Sequence, residues 1–174
     1  MTGKEFFNKI INGSSDPLQL FLDLIKKEKI HFCVIGGLGV NAYAEPVVSL
    51  DLDLVIVAEK IEQILSRTKG FFKIKRFTNS INLSYKNSDL RIQIQTDQRY
   101  QSFLKKAKIK NVLGYQLPVA RIEDVFQGKV WAASDEKRRP SKRQKDLADI
   151  LRLIEVKAGL KKILPEKLKK LLQG

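Results

Sequence analysis

Two hydrophobic periods alternate along the first half of the chain. Apolar residues recur at three- and four-residue spacing between Leu18 and Ile25, which is typical of an amphipathic helix, and Asp16-Pro17 supplies its cap and first position. Short apolar runs, several alternating with polar residues, follow and indicate β-strands. The predicted elements are a helix at about 16–29, a strand at 31–35, a short helix at 38–44, a strand at 49–57, a helix at 59–69, and strands at 71–77, 81–85 and 90–95.

From residue 98 onward the pattern favours helices, apart from a hairpin predicted around Gly114. Apolar residues from Ile122 to Ala133 mark one amphipathic helix, and a lysine-rich helix over 165–172 closes the chain. Between them, Ser141 and Gln144 have the spacing of a capping box. The apolar stripe predicted for the helix that follows this box is Leu147, Ile150, Leu151 and Ile154.

The order of these elements predicts the fold class and the organisation of the chain. At 174 residues the chain is long enough for one domain with a substantial core. We expect an α/β (α+β) fold, with a mixed sheet and flanking helices over about 16–118 and a basic helical part over about 119–174. Both parts are expected to belong to a single domain spanning 1–174.

The charge is strongly positive and unevenly distributed. The chain has 33 basic and 19 acidic residues, a net charge of +14, and residues 101–174 carry +11 of it. Such a field attracts polyphosphates, nucleic acid or an acidic membrane surface, although a solvated lysine-rich surface gives the same composition.

The scarcity of cysteine and histidine excludes several classes of site. Cys33 and His31 are the only residues of their types, so one chain cannot build a disulfide framework, a zinc cluster or a histidine-dependent triad. No apolar run has the character of a signal peptide or of a membrane span. We therefore expect a soluble, cytoplasmic protein with no membrane partner.

The candidate chemistry lies at a glycine turn and a pair of acids. Gly36-Gly37 ends the first predicted strand, and Asp51-Leu52-Asp53 follows with thirteen residues between. Because side chains alternate faces along a strand, Asp51 and Asp53 should point the same way, with β-carbons roughly 6.5 to 7 Å apart. Two such carboxylates can hold one or two hard cations, and a glycine turn lets the backbone approach a phosphate. The apolar neighbours expected to face the core are Leu50, Leu52 and Leu54.

These motifs resemble the nucleotidyltransferase superfamily typified by DNA polymerase beta, whose signature is an apolar residue, Gly-Gly or Gly-Ser, a short spacer, and Asp-x-Asp between apolar residues. Within it the chain is most similar to the abortive-infection and type IV toxin-antitoxin nucleotidyltransferases. Those also carry a lysine on one C-terminal helix and Lys-Asp-x-x-Asp on the next. Lys129 and the segment 145–149 occupy those places, and the resemblance spans roughly residues 31 to 155.

The resemblance implies a polymerase-beta-like core that uses Mg²⁺ or Mn²⁺ and takes a nucleoside triphosphate (NTP) as substrate. It implies that Asp51 and Asp53 bind metal, and that the glycine turn holds the triphosphate. Ser49 stands where many relatives have threonine and joins the nucleotide-binding set. The implied catalytic residues are Asp51, Asp53, Lys129 and Asp146, and the implied nucleotide-binding residues are Gly36, Gly37, Ser49 and Lys129.

The two C-terminal residues also have structural interpretations. Lys129 falls on the apolar stripe of its predicted helix, where it either reaches a phosphate or extends its stem along the core edge to place its charge in water. Asp146 borders the buried face of the next helix. Lys145 and Asp149 have the spacing of an exposed i,i+4 ion pair.

Two positions depart from the superfamily pattern. Many relatives have an arginine four residues before the first aspartate, where this chain has Val47. Active relatives also present a third carboxylate from a later strand, but the predicted strand 90–95 has Gln93 and Gln95 on its polar face, and Asp97 lies at its end. An amide ligates a metal weakly and does not act as a base at neutral pH.

A run of basic residues lies between the last two long helices. Six of the nine residues at 137–145 are basic, and they are candidates for contacting the phosphates of an RNA or DNA acceptor; a solvated loop is the alternative. The acceptor-contact candidates are Arg138, Arg139, Lys142, Arg143 and Lys145.

A dinucleotide-binding interpretation is disfavoured by spacing. Gly37-x-Gly39-x-x-Ala42 fits the glycine fingerprint, but the acids come too early and lie inside the second strand. No P-loop motif occurs.

The function predicted from the sequence is a metal-dependent nucleotidyltransferase that moves a nucleoside monophosphate (NMP) onto a hydroxyl of RNA, protein or a small molecule. The alternative is a catalytically weak nucleotide- or RNA-binding module, antitoxin-like or regulatory, that uses the same pocket without turnover. An exposed sheet edge could recruit a partner protein or a second copy of the chain.

Overall fold

The structure, a computed structural model, describes residues 1–11 and 16–172. The strands are β1 (Phe32–Ile35), β2 (Asp51–Ile56), β3 (Phe72–Arg76), β4 (Ser80–Tyr85), β5 (Arg91–Gln95), β6 (Lys108–Val112) and β7 (Tyr115–Val119). The helices are α1 (Gly3–Ile10), α2 (Pro17–Lys27), α3 (Gly36–Asn41), α4 (Ile61–Thr68), α5 (Ile122–Ser134), α6 (Pro140–Val156) and α7 (Glu166–Leu172), and 3-10 turns lie at Ala58–Lys60, Gln98–Lys106 and Ala158–Ile163.

Within the described residues the seven strands form one mixed sheet in the order β3-β4-β5-β2-β1-β7-β6. β2 runs parallel to β5 and β1 parallel to β7, while the other neighbouring pairs are antiparallel. The hairpin predicted around Gly114 is present as β6–β7. The predicted fold class, a mixed sheet with flanking helices and a helical C-terminal part, is confirmed.

The register of the central strands places polar side chains in rows across the sheet. Asp53 lies beside Ile35 of β1 on one side and beside Gln93 of β5 on the other, and Gln93 in turn lies beside Asn82 of β4. Because neighbours in register share a face, one row runs from the glycine turn through Asp53 to two neutral amides.

The opposite face of β2 packs into the hydrophobic core. Leu52, between the acids, and Leu54, after them, are fully buried, as predicted. The prediction for Leu50 is wrong: it is 37% exposed, because β2 begins one residue later, at Asp51, and Leu50 still belongs to the preceding loop.

The helix termini agree with the sequence in one place and differ in two. The Asp16 side chain caps α2 by accepting a hydrogen bond from the backbone of Gln19, as expected. Helix α1 was not predicted, although Thr2 and Glu5 form a capping box at its start. The capping box predicted at Ser141 is absent, because the helix begins earlier, at Pro140, where proline needs no N–H partner.

Helices α5 and α6 pack against each other beside the sheet. The buried stripe of α6 contains Leu147, Ile150 and Leu153, whereas Leu151, which was predicted to belong to it, is 41% exposed. On a helix Leu151 and Leu153 point in different directions, so the buried stripe is rotated from the predicted one. None of the described helices is both long and apolar enough to cross a bilayer.

Candidate functional site

Asp51 and Asp53 lie on the same face of β2, as the alternation of strand side chains requires. Both line one cavity of about 220 Å³, which we call the inner cavity, while Leu52 between them is fully buried. Gly37 and Ser49 line the same cavity. The structure therefore brings together the two acids, the glycine turn and the serine that the sequence selected.

Gly36 packs so closely against the Asp53 side chain that a β-carbon does not fit between them. Its φ of +63° is a conformation that glycine adopts without strain, and a β-carbon there would lie 1.9 Å from Asp53 Oδ2. A β-carbon at Gly37 would lie 3.2 Å from Ser49 Oγ. The diglycine turn is therefore what allows the backbone of the β1–α3 junction to lie against the carboxylate.

Asp51 is neutralised by two cations. Arg91 donates to Asp51 Oδ1 at 2.6 Å, and Lys142 Nζ lies 3.5 Å from Oδ2. Burial alone would raise the pKa of this carboxyl, but the hydrogen bonds and charges of Arg91 and Lys142 outweigh it and lower the pKa. Asp51 is therefore a carboxylate at neutral pH.

Asp53 has the opposite environment. Among the described residues no donor makes a hydrogen bond to its carboxylate. Burial raises its pKa, and the charge of Asp51 acts in the same direction, although Lys129 attracts the ionised form. Asp53 is thus a half-buried acid whose charge is only partly compensated within the protein.

The position beside Asp53 is occupied by an amide. Gln93 is the β5 neighbour of Asp53, and its side chain forms no hydrogen bond with the described residues. Asp97 does not replace it: its carboxylate caps the following 3-10 turn and binds the Arg99 guanidinium at 2.9 and 2.7 Å. The described residues contain no group of three or more His, Cys, Asp or Glu side chains that could hold a metal ion.

Lys129 and Asp146 meet in a buried ionic cluster between α5 and α6. Lys129 Nζ lies 3.0 Å from Asp146 Oδ1 and 2.8 Å from Asp149 Oδ2, and the lysine is only 8% exposed. Burial would lower its pKa, but the two carboxylates raise it. The lysine therefore does not extend into water, and Asp149 does not form the predicted pair with Lys145.

The cluster continues in two directions. Arg138 donates to Asp146 Oδ2 at 2.8 Å and so reaches the cavity side. Arg152 donates to Asp149 Oδ1 at 2.7 Å, to Asn41 Oδ1 at 2.9 Å and to the Glu45 carbonyl.

Through Asn41 the cluster holds the loop that leads into β2. The Asn41 side chain donates to the carbonyl of Val47 at 2.7 Å and accepts from its N–H at 3.0 Å. The position that carries an arginine in many relatives is thus an exposed valine held by its backbone.

The basic run is largely used by the protein itself. Arg138 binds Asp146, Lys142 lies beside Asp51, and Arg143 donates to the Asp135 carbonyl at 2.6 Å. Arg139 and Lys145 are exposed and form no ion pair with the described residues, and Lys145 lines the inner cavity. The five candidates therefore do not form one free basic surface.

Sequence reasoning missed Arg91, Asn41 and Arg152. Arg91 shares the parity of Gln93 and Gln95 on the predicted strand, so its position on the polar face could have been found from alternation alone. The contacts of Asn41 and Arg152 bridge more than a hundred residues of sequence, and no local pattern signals them.

Two further cavities continue the inner one across the sheet. A connecting cavity of about 100 Å³ is lined by Gly36, Asp53, Gln93 and Tyr100, and an outer cavity of about 550 Å³ lies beyond it. Gln93 and Arg138 line all three. The residues that line the outer cavity are Asn79, Ser80, Gln93, Gln95, Asp97, Arg99, Tyr100, Trp131, Ala132, Ser134, Asp135 and Arg138.

No protein-family model matches the chain, and no curated protein matches it by sequence. Solved structures match its fold. The antibiotic-resistance factor ANT(2″)-Ia aligns with a TM-score of 0.60 at 13% identity, covering 88% of this chain and 89% of that chain. The lincosamide antibiotic adenylyltransferase LnuA aligns with a TM-score of 0.56 at 13% identity, covering 82% and 99%.

An antigenic nucleotidyltransferase-like protein from Paracoccidioides brasiliensis is also similar. It aligns with a TM-score of 0.56 at 16% identity, covering 88% of this chain and 78% of that chain. At such identities the similarity shows the fold, and it agrees with the glycine turn and paired acids at the centre of the sheet. The chain therefore has the nucleotidyltransferase fold.

Proposed function

We propose that the protein is a nucleotidyltransferase that binds an NTP together with Mg²⁺ or Mn²⁺ at Asp51 and Asp53 and transfers an NMP to a hydroxyl. The observation that supports this most is the state of Asp53, a half-buried carboxylate with no hydrogen-bond donor among the described residues, beside a second carboxylate and against the glycine turn. A charge that is partly removed from water and left without a partner is costly, so such a group is expected where a cation binds.

The donor set fits a hard divalent cation. Asp51 and Asp53 offer carboxylate oxygens from one face of β2, and oxygen is the ligand type that Mg²⁺ and Mn²⁺ prefer. Mg²⁺ commonly takes only one or two protein carboxylates and completes its shell with phosphates and water. When bound, the ion would supply charge to the phosphates of the NTP.

The side chains around the acids have separate roles in this proposal. Gly36 and Gly37 let the backbone approach the triphosphate. Lys142, Arg91 and Lys145 place positive charge on the walls of the inner cavity, where phosphates would lie. Lys129 stays in its cluster and acts on Asp53 through its charge.

The reaction balances without a cofactor that carries electrons. The acceptor hydroxyl oxygen bonds to the α-phosphorus, the bond from that phosphorus to the bridging oxygen breaks, and pyrophosphate leaves with the bond electrons. The hydroxyl proton passes to water, because Gln93 cannot take it up at neutral pH.

A binding module without turnover is the second candidate, and one observation favours it. The side chain in register with Asp53 is Gln93 rather than an acid, and both oxygens of Asp51 already have cationic partners. In this case the protein would bind the NTP and release it unchanged, in the antitoxin-like or regulatory role that the sequence resemblance suggests.

The test incubates the protein with α-labelled ATP, GTP, CTP and UTP, Mg²⁺ or Mn²⁺, total RNA and a small-molecule extract. We expect label transfer, reduced about a hundredfold or more by Asp53→Asn. Asp23→Asn changes an exposed acid on α2 that does not line the inner, connecting or outer cavity; it is the matched control and should transfer normally. Nucleotide-dependent thermal stabilisation without transfer would support the binding module, and neither effect would refute both.

A further inference from the structure

We propose that the outer cavity is the acceptor subsite and that it takes a neutral, hydroxyl-rich small molecule, with Gln93 as the residue that recognises its hydroxyls. The inference rests on the proposed function and names its substrate class. It is carried by the joining of the cavities, by the pairing of charges around the outer one, and by the polar groups left unpaired there.

The outer cavity lies where an acceptor must approach. It shares Gln93, Gln95 and Arg138 with the connecting cavity, and Gln93 and Arg138 also line the inner cavity beside Asp51 and Asp53. An NTP in the inner cavity therefore faces the outer cavity across the Gln93 side chain. At about 550 Å³ the outer cavity is within the range of small-molecule sites.

Three of the four charged residues that line the outer cavity have ion-pair partners. Asp97 binds Arg99, and Arg138 binds Asp146. Asp135, at the exposed rim, accepts a hydrogen bond from the backbone N–H of Lys137. A strongly charged ligand would therefore find only the Asp135 carboxylate without a cationic partner among the described residues, whereas a neutral ligand needs no free charge.

The unpaired groups are neutral donors and acceptors. The side chains of Asn79, Ser80, Gln93 and Ser134 form no hydrogen bond with the described residues. On the neighbouring strand β4, Asn82 lies in register with Gln93, and its Oδ1 is buried without a hydrogen-bond partner among the described residues. Burial raises the pKa of Tyr100 to about 12, so its hydroxyl remains neutral. Such a lining matches hydroxyl groups, each of which donates one hydrogen bond and accepts others.

Two observations disfavour a nucleic-acid acceptor in this cavity. Three cations of the basic run, Arg138, Lys142 and Arg143, are bound within the protein and do not form a free phosphate-binding track. The aromatic wall is also engaged: the Trp131 ring stacks on Phe103 with centroids 5.7 Å apart and carries the Arg99 guanidinium at 4.8 Å. Unstacked bases need an open aromatic face.

The experiment uses the full chain, ¹⁵N-labelled, and observes the side-chain amide resonances of Gln93 and Asn79. The probes are a library of neutral mono- to trisaccharides and cyclitols, spermidine as a polycation, and an oligoadenylate RNA with a free 3′ hydroxyl. We expect members of the neutral library to shift these resonances, and the same members to accept label from an α-labelled NTP with release of pyrophosphate.

The variant Gln93→Met keeps the length of the side chain and removes its hydrogen bonds. It should raise the KM for the neutral acceptor about tenfold, because a hydroxyl of the acceptor loses its hydrogen-bond partner, and should change the Kd of Mg·ATP, measured without acceptor, less than about twofold. Gln116→Met, the same change at an exposed position of β7 that lines none of these three cavities, should alter neither.

The outcomes separate this inference from the proposed function. Mg·ATP binding that requires Asp53, with resonance shifts caused only by spermidine or RNA or by no probe at all, overturns the inference alone. Shifts caused by the neutral library, with no nucleotide binding, overturn the proposed function and with it the acceptor role. Equal effects of Gln93→Met and Gln116→Met on the acceptor KM overturn the role of Gln93.

Discussion

The acids of β2 and the ionic cluster between α5 and α6 differ in how the charge of two neighbouring carboxylates is compensated. Each places two carboxylates close together, half-buried on the strand and buried in the cluster. In the cluster, Lys129 lies between Asp146 and Asp149, and Arg138 and Arg152 supply further cations. On the strand, Asp51 has two cationic partners and Asp53 has no hydrogen-bond donor among the described residues.

The difference distinguishes a structural use of charge from a ligand site. Where each carboxylate has a buried or half-buried cation, the group is expected to stabilise the packing of the helices once it is formed. Where one carboxylate lacks a partner, the folded protein is expected to carry a cost that a bound cation would relieve. The two regions still interact, because Lys129 attracts the charge of Asp53.

The largest effect should come from removing the centre of the cluster. Lys129→Met leaves Asp146 and Asp149 buried without their shared cation, which should lower the free energy of unfolding by about 3–5 kcal/mol. Urea denaturation monitored by circular dichroism measures it. Lys145→Met, an exposed lysine on α6, should cost less than about 0.5 kcal/mol. Similar losses in both variants would show that the cluster does not hold α5 against α6.

Gly36→Ala should damage the glycine turn and the unpaired acid together. Alanine at a φ of +63° is strained, and its β-carbon would displace Asp53, so we expect a loss of about 1–3 kcal/mol of stability. The affinity for Mg·ATP should fall with it. Gly70→Ala is the control, because a β-carbon there meets no atom within 4 Å. Unchanged Mg·ATP affinity in Gly36→Ala would contradict the close fit between turn and acid.

Asp53→Asn should stabilise the metal-free protein while abolishing transfer. Burial raises the folded-state pKa of Asp53, so ionisation of this group opposes folding at pH values above its unfolded pKa. The variant should therefore gain in Tm relative to the wild type as pH rises from about 4 to 7, by about 2–4 °C for each kcal/mol relieved.

Asp51→Asn provides the contrast in the same calorimetric series. Its pKa is lowered by Arg91 and Lys142 despite burial, so its ionised form favours folding and its loss should not raise Tm. If both asparagine variants shift Tm in the same direction, the two carboxylates do not differ as described.

The parts of the site that lie close together in sequence could be predicted. Alternation along a strand was enough to place Asp51 and Asp53 on one face, and a lysine on an apolar helical stripe was enough to mark Lys129 as unusual. The buried ion pairs of Lys129 with Asp146 and Asp149 were not predicted, because a buried lysine and a lysine that extends to the surface give the same helical pattern.

The parts that depend on register and helix packing could not be predicted. Arg91 reaches Asp51 only because β5 lies parallel to β2 with these two residues opposite each other. Lys142 comes from a helix 91 residues away in sequence. The phase of α6 was misjudged by one residue at Leu151, since several apolar residues there allowed two stripes.

The smallest effect should come from the surface end of the strand site. Lys142 and Asp51 are 3.5 Å apart, and the lysine side chain is 36% exposed, so Lys142→Met should change the free energy of unfolding by less than about 1 kcal/mol. Removing this cation should still raise the pKa of Asp51, since Lys142 is one of the groups that lower it. Carboxyl ¹³C NMR titration measures that change.

Because the same lysine lines the inner cavity, Mg·ATP affinity should fall and become less sensitive to salt. A pKa of Asp51 that stays fixed in Lys142→Met would mean that Arg91 alone neutralises it, and that Lys142 is free for the phosphates.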